Sequence, residues 1–196
     1  TERAASAQAV NTFRFEQDGV ILGDNTDGAG LVRDIEINLN IPIHNKHLLL
    51  LGAGGAAHGV ILPLLQKQPA RLVIANRTLD KAQQLVQQFS EFGRIDAGHF
   101  KDFKSERFDI VINATSAGLQ DQLPPLPPEI FTETLLAYDM FYRSQLTPFL
   151  KFAQQEGARR TTDGIGMLVE QAAESFFLWR AIRPETQSVI QKLRQM

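Results

Sequence analysis

Cysteine is absent from these 196 residues, which excludes disulfide staples, thiolate zinc sites and a cysteine nucleophile, and fits a reducing cytosol. An excess of one charge is lacking too: 20 Lys plus Arg stand against 22 Asp plus Glu, a formal net charge of -2. Such balance gives no long-range pull towards nucleic acid or an anionic membrane, so neither is an expected partner and a small molecule is. No apolar run approaches the roughly 20 residues that span a bilayer, and Thr1-Glu2-Arg3-Ala4-Ala5 does not read as a signal peptide. Cytoplasmic placement is the expectation by elimination. His44, His47, His58 and His99 show no metal-ligand spacing and no serine sits in a nucleophile elbow, so no metal is expected.

What is present is a chain with 43% hydrophobic residues, enough for a substantial core. Glu2 to Ala9 reads as the end of a helix without a leading cap. Val10 to Phe15 and Val20-Ile21-Leu22 flank Glu16-Gln17-Asp18-Gly19, whose Asp-Gly pair signals a hairpin turn. Behind Gly23-Asp24-Asn25-Thr26, the residues Leu31, Val32, Ile35 and Leu39 recur at helical spacing, so a helix is expected to start close to Asp27.

From His47 the pattern changes. Leu48–Leu51, Leu72–Ala75, Asp109–Asn113 and Leu135–Tyr138 are short apolar runs separated by helical stretches. Continuous apolar strands alternating with helices predict an α/β fold, a doubly wound parallel sheet with helices on both faces. Thr147-Pro148 should open one of those helices, and Pro124 to Pro128 should be a loop. Met167 to Ile182 reads as a helix apolar almost all round, which needs partners on more than one side.

The first of these strands runs into Gly52-Ala53-Gly54-Gly55-Ala56-Ala57, the dinucleotide fingerprint with alanine in its permitted third position. The first glycine makes the tight turn and the second lets the backbone approach a pyrophosphate. Ala57 lets the helix pack on its strand, and the helix N-terminus offers free N–H groups to the anion. About 20 residues further on, an NAD site places a carboxylate against the ribose. This chain has Asn76-Arg77-Thr78 instead, with Lys81 one helical turn later. Arg77 can pair bidentately with a 2′-phosphate, which predicts NADP as the cofactor. Against this stands the plainer reading, that Arg77 and Lys81 are solvated surface charges and Thr78 only an N-cap.

The chain resembles the shikimate dehydrogenase family. The likeness runs through Ala9-Val10-Asn11-Thr12, Gly23 to Gly28, Gly52 to Ala57, Asn76-Arg77-Thr78, Asn113-Ala114-Thr115-Ser116, Tyr138 to Tyr142, and Asp163 to Val169 with Gln171. It implies reversible reduction of 3-dehydroshikimate to shikimate by NADPH, with a lysine and an aspartate as the catalytic pair. Asp27 matches that aspartate. A carboxylate in the first helical turn should be held ionised by the N-terminal partial charge, although a plain capping role is the commoner one. The resemblance further implies that Asn11, Tyr142 and Gln171 hydrogen-bond substrate, and that Thr115, Ser116, Met140 and Gly164 line the nicotinamide side. Gln171 has an independent hint: an amide among Met167, Leu168, Val169, Ala172 and Ala173 needs a partner, which a satisfied core glutamine would also have.

Members of that family begin with a substrate domain of roughly a hundred residues carrying a Ser-x-Ser motif and the catalytic lysine in Val-Pro-Phe-Lys. Neither occurs here, and no lysine precedes Lys46. The expectation is therefore a truncated, NADP-binding and catalytically impaired piece. Residues 1–26 would be a remnant of the substrate domain, 27–164 the cofactor domain, and 165–196 helices returning to the substrate domain. The hairpin edge and the apolar last helix should then favour self-association. The rival readings are a quinate/shikimate dehydrogenase branch that uses NAD, and an NADP-binding module without catalysis.

Overall fold

A computed structural model describes residues 1–116 and 122–195. Six strands form one sheet: β3 (His47–Leu51), β4 (Arg71–Ala75), β5 (Ile95–Gly98), β6 (Ile110–Asn113), β7 (Leu136–Asp139) and β8 (Thr161–Thr162). Their order is β5-β4-β3-β6-β7-β8, and every neighbouring pair is parallel. Counted within the sheet this is order 3-2-1-4-5-6, the doubly wound arrangement whose direction of winding reverses between β3 and β6.

Alternation along the strands divides the core in two. Leu48, Leu50, Leu72, Ile74, Ile110 and Ile112 face one way, where they meet α2 (Asp27–Arg33), α3 (Gly55–Leu65) and α4 (Leu79–Phe89). Leu49, Leu51, Val73, Val111 and Ala137 face the other, against α5 (Pro148–Gln155) and a cluster of phenylalanines at 100, 103, 108 and 131. Burial on both faces is why these strands are apolar throughout.

A two-stranded antiparallel hairpin, β1 (Thr12–Phe15) with β2 (Ile21–Asp24), stands apart from the sheet. It is held by α6 (Ile165–Arg180): Trp179 Nε1 donates to the Phe13 carbonyl at 2.7 Å and an Arg14 guanidinium N–H to the Leu178 carbonyl at 3.0 Å. The first helix, α1 (Glu2–Ala7), packs on α3. The short terminal helix is α7 (Gln187–Arg194).

Several elements differ from expectation. The first helix is capped after all, by Thr1 Oγ1, which accepts from the Ala4 N–H. The last long helix starts at Ile165, two residues early, and ends at Arg180 because Ala181 takes the left-handed conformation. Past Arg33, α2 widens into a π turn over Asp34–Asn38, with Leu39 N–H donating to the Asp34 carbonyl. Strands β5 and β8 had no apolar run to announce them. Thr147 does cap α5, accepting from the Leu150 N–H at 3.2 Å.

Asp34 is fully buried and shows what the π turn accommodates. Its carboxylate accepts from Tyr138 Oη at 2.7 Å and Asn38 Nδ2 at 2.9 Å, and burial pushes its pKa up against both hydrogen bonds. Tyr138 Oη in turn accepts from the Met167 N–H at 3.3 Å. The N-cap of α6, Gly164, has no side chain to offer, so a hydroxyl from β7 caps that helix instead. Tyr138→Phe is expected to destabilise the fold by about 1–3 kcal/mol, since it leaves a buried carboxylate and a helix N–H short of a partner. Urea unfolding of the two proteins measures this, and equal midpoints would refute the capping role.

Candidate functional site

At the point where the winding reverses, the C-terminal ends of β3 and β6 diverge and open a cleft of ≈ 770 Å³. In open parallel sheets this is where ligands bind. Its floor is the glycine turn. Gly52 has φ +102 and lies so close to the loop after β6 that a Cβ would come within 3.1 Å of the Ala114 carbonyl oxygen, so no other residue fits there without strain. Beyond it, Cβ atoms built on Gly54 and Gly55 would meet nothing within 4 Å. Both residues line the cleft, and the space over them is a cradle that side chains would fill.

Gly55 and Ala56, the first residues of α3, line that cradle, and the first N–H groups of a helix have no intrahelical partners. Ala57 does not line the cleft; it is wholly buried, packing α3 onto the sheet.

Along one wall, Asn76 and Arg77 follow β4. Asn76 Nδ2 donates to the Thr78 carbonyl at 2.8 Å, which ties down the start of α4. Thr78 occupies the N-cap position, but its side chain makes no capping hydrogen bond, contrary to the plain capping expectation. Arg77 and Lys81 are exposed, and neither has an acidic partner among the described residues. Lys81 lies outside the cleft lining. Two unneutralised cations beside a phosphate-sized cradle suit a ligand that carries a further phosphate.

The opposite wall is built by the loops after β6 and β7. Asn113 Oδ1 accepts from the Thr115 N–H at 3.1 Å and Thr115 Oγ1 at 2.7 Å, while its Nδ2 donates to Asp139 Oδ1 at 3.1 Å. Asp139 also accepts from the Phe141 N–H at 3.2 Å and, through its other oxygen, from Thr147 Oγ1 at 2.6 Å. Burial raises the Asp139 pKa, and these hydrogen bonds oppose the shift. Thr115, Ser116 and Met140 thereby reach the cleft. Gly164 does not line it but backs it: a Cβ there would overlap the Met140 carbonyl oxygen. The pairing of Asn113 and Thr147 with Asp139 escaped sequence reading, because it joins the end of β6 and the start of α5 to the end of β7.

Asp27 closes the far end of the cleft, with Met140, Phe141 and Met167 nearby in its lining. Its Oδ1 accepts from Asn11 Nδ2 at 2.8 Å. Burial raises the Asp27 pKa, and the Asn11 hydrogen bond only partly offsets this. Gln171 joins the group, its Oε1 lying 3.5 Å from Asn11 Nδ2 and 3.2 Å from Thr26 Oγ1. It is half-buried rather than enclosed in the core. Tyr142 is not brought in: it is 44% exposed and stacks on Phe141 at 6.4 Å between ring centres.

Among the described residues no group of His, Asp and Glu could hold a metal ion, and no helix is long and apolar enough to cross a membrane.

Comparison with known proteins meets this geometry. Residues 36–120 match the family described as shikimate / quinate 5-dehydrogenase, and residues 164–194 match the shikimate 5'-dehydrogenase C-terminal domain. The shikimate dehydrogenase (NADP(+)) of Nitrosomonas eutropha is 63% identical over 194 residues, 99% of this chain and 70% of that protein. Among solved structures, an Ael1 enzyme from Pseudomonas putida superposes with a TM-score of 0.95 at 50% identity, covering 98% of this chain and 70% of that one. The Thermus thermophilus shikimate 5-dehydrogenase, solved with NADP(H) and shikimate, gives 0.85 at 31% identity, covering 100% and 71%. With its two-walled cleft, its glycine turn and relatives at this identity over 70% of their length, the chain belongs to the shikimate dehydrogenase family.

Proposed function

We propose that this chain binds NADP over Gly52–Ala57 and serves the reversible reduction of 3-dehydroshikimate to shikimate. One observation carries the reading. A single cleft gathers an anion cradle, an unpaired Arg77 and the desolvated carboxyl of Asp27. The relative from Nitrosomonas eutropha is named for shikimate and NADP(+), which supports both ligands.

When bound as NADPH, the cofactor supplies the hydride for a ketone; the chain's residues must hold the substrate and manage the proton. The pyrophosphate fits the cradle at Gly54 and Gly55, with the backbone N–H groups of Gly55 and Ala56 as donors and Ala57 packing the helix behind them. Arg77 takes the 2′-phosphate, with Lys81 adding charge nearby. Asn76 and Thr78 shape that turn, while Ala53, Thr115, Ser116 and Met140 form the walls, with Gly164 backing Met140. Asp27 orients a substrate hydroxyl, and Asn11 and Gln171 hold the polar end of the same pocket; Tyr142 reaches it only by turning from its stack on Phe141. No cation faces Asp27 among the described residues, which is why burial governs its pKa; a lysine brought within about 4–6 Å would pull it back down.

The domain reading follows the same lines: 27–164 for the cofactor, with 1–26 and 165–196 belonging to the substrate side. The 196 residues contain no lysine before Lys46, so this polypeptide alone is expected to bind NADP with little or no turnover. A spectrophotometric assay of shikimate-dependent NADP reduction tests this, and robust turnover would refute it. An NAD-using branch is disfavoured because Asn76-Arg77-Thr78, and no carboxylate, directly follows β4. A cytoplasmic setting agrees with the lack of cysteine.

Association is a further expectation. Phe13, Phe15, Val20 and Ile21 on the hairpin, with Phe177, Trp179 and Ile182 at the end of α6, are exposed apolar side chains. Sedimentation velocity should show mass rising with concentration; a monomer throughout would remove the idea.

A further inference from the structure

Behind Asn11 and Gln171 lies a cluster of hydroxyls that the proposed chemistry leaves without a role. Thr12 on β1, Thr26 before α2 and Ser175 on α6 are 2%, 0% and 6% exposed. Ser175 Oγ lies 2.6 Å from Thr12 Oγ1 and 3.2 Å from Thr26 Oγ1, and donates to the Gln171 carbonyl at 3.0 Å in one of its arrangements. Three elements remote in sequence thus share one buried set of protons.

Asn11 Oδ1 is the focus of that set, accepting from the Thr26 N–H at 3.0 Å, Thr26 Oγ1 at 3.1 Å and Thr12 Oγ1 at 3.0 Å. A backbone N–H can only donate, so the atom facing Thr26 N must be the amide oxygen. The orientation of the Asn11 amide is therefore determined, and its Nδ2 must face Asp27 and Gln171. Its two N–H groups are spent on Asp27 Oδ1 at 2.8 Å and Gln171 Oε1 at 3.5 Å. Gln171 Oε1 faces Asn11 Nδ2 and, at 3.2 Å, Thr26 Oγ1, whose one proton goes either to it or to Asn11 Oδ1; the Gln171 Nε2 group is left as the donor without a partner among the described residues.

We propose that Ser175, together with Thr12 and Thr26, is a positioning device that fixes the amide planes of Asn11 and Gln171. Asn11 Nδ2 is thereby held on Asp27, and Gln171 Nε2 is left as the free donor for the substrate role proposed above. The last step rests on the substrate reading above; the positioning itself does not. Ser175 is the member whose removal is cleanest, because alanine suits a helix interior and leaves the backbone ladder intact.

The test uses the whole 196-residue chain labelled with nitrogen-15, without ligand. In Ser175→Ala the side-chain amide signals of Asn11 and Gln171 should both move, and Ser175→Thr, which restores the hydroxyl, should return them towards their native positions. NADP affinity serves as the control for folding and should stay unchanged. If the two amide signals keep their positions in Ser175→Ala while NADP still binds, the proposal is overturned. Added shikimate then separates the two claims: shifts at Gln171 Nε2 support its role as the ligand donor. No shift at Asn11, Asp27 or Gln171 in the native chain overturns that role and the substrate reading, whereas the ligand-free comparison judges positioning by itself.

Discussion

Replacing Arg77 with aspartate is expected to weaken NADP binding by about a hundredfold while changing NAD binding by less than about threefold. The asymmetry follows from geometry. Arg77 lies at the end of β4, where a dinucleotide's adenosine ribose is read, and lines the cleft without an acidic partner to neutralise it. A charge-assisted pair with a dianionic 2′-phosphate is worth about 1.5–3 kcal/mol, and the reversed charge adds repulsion. NAD lacks that phosphate and has nothing to lose. Because Arg77 is exposed, the effect should shrink as salt rises. Equal losses for both dinucleotides, measured by fluorescence titration, would show that the substitution damaged the fold rather than the recognition.

Gly54→Val separates fold from binding still more sharply. Gly54 has an extended backbone, φ -96 and ψ -172, that any residue adopts, and its Cβ would meet no atom within 4 Å. The fold should tolerate valine within about 0.5 kcal/mol. The pyrophosphate should not, because the side chain would stand where the backbone must approach it. The expected outcome is an unchanged melting temperature with NADP affinity lowered at least about a hundredfold. At Gly52 the same substitution would confound the two, since φ +102 and the nearby Ala114 carbonyl make that glycine structural. A Gly54→Val chain that still binds NADP like the native one would mean the cofactor lies elsewhere.

The sheet was legible because its strands are buried on both faces, so that Leu48–Leu51 and Leu72–Ala75 carry no polar interruption. The edge strand β5 was not. Ile95-Asp96-Ala97-Gly98 mixes buried and partly exposed positions, and Asp96 pairs with Arg71 in the neighbouring strand. Nor was β8, whose two threonines pair only with β7. The glycine turn and Arg77 were legible because local spacing carries their chemistry. Thr12 and Ser175 meet across 163 residues and Tyr138 and Asp34 across 104, distances over which no periodicity speaks. The place of Asp27 at a helix N-terminus was plain in the sequence, but the burial that raises its pKa appears only in three dimensions. Tyr142 was named by resemblance alone, and in this structure it stands on the outside of the site.

The most direct test of the account is a calorimetric titration of NADP and of NAD into the native chain at one salt concentration. One site per chain is expected for NADP, with NAD weaker by at least about tenfold for want of the 2′-phosphate contact. No heat with NADP, or equal affinity for the two dinucleotides, would contradict it.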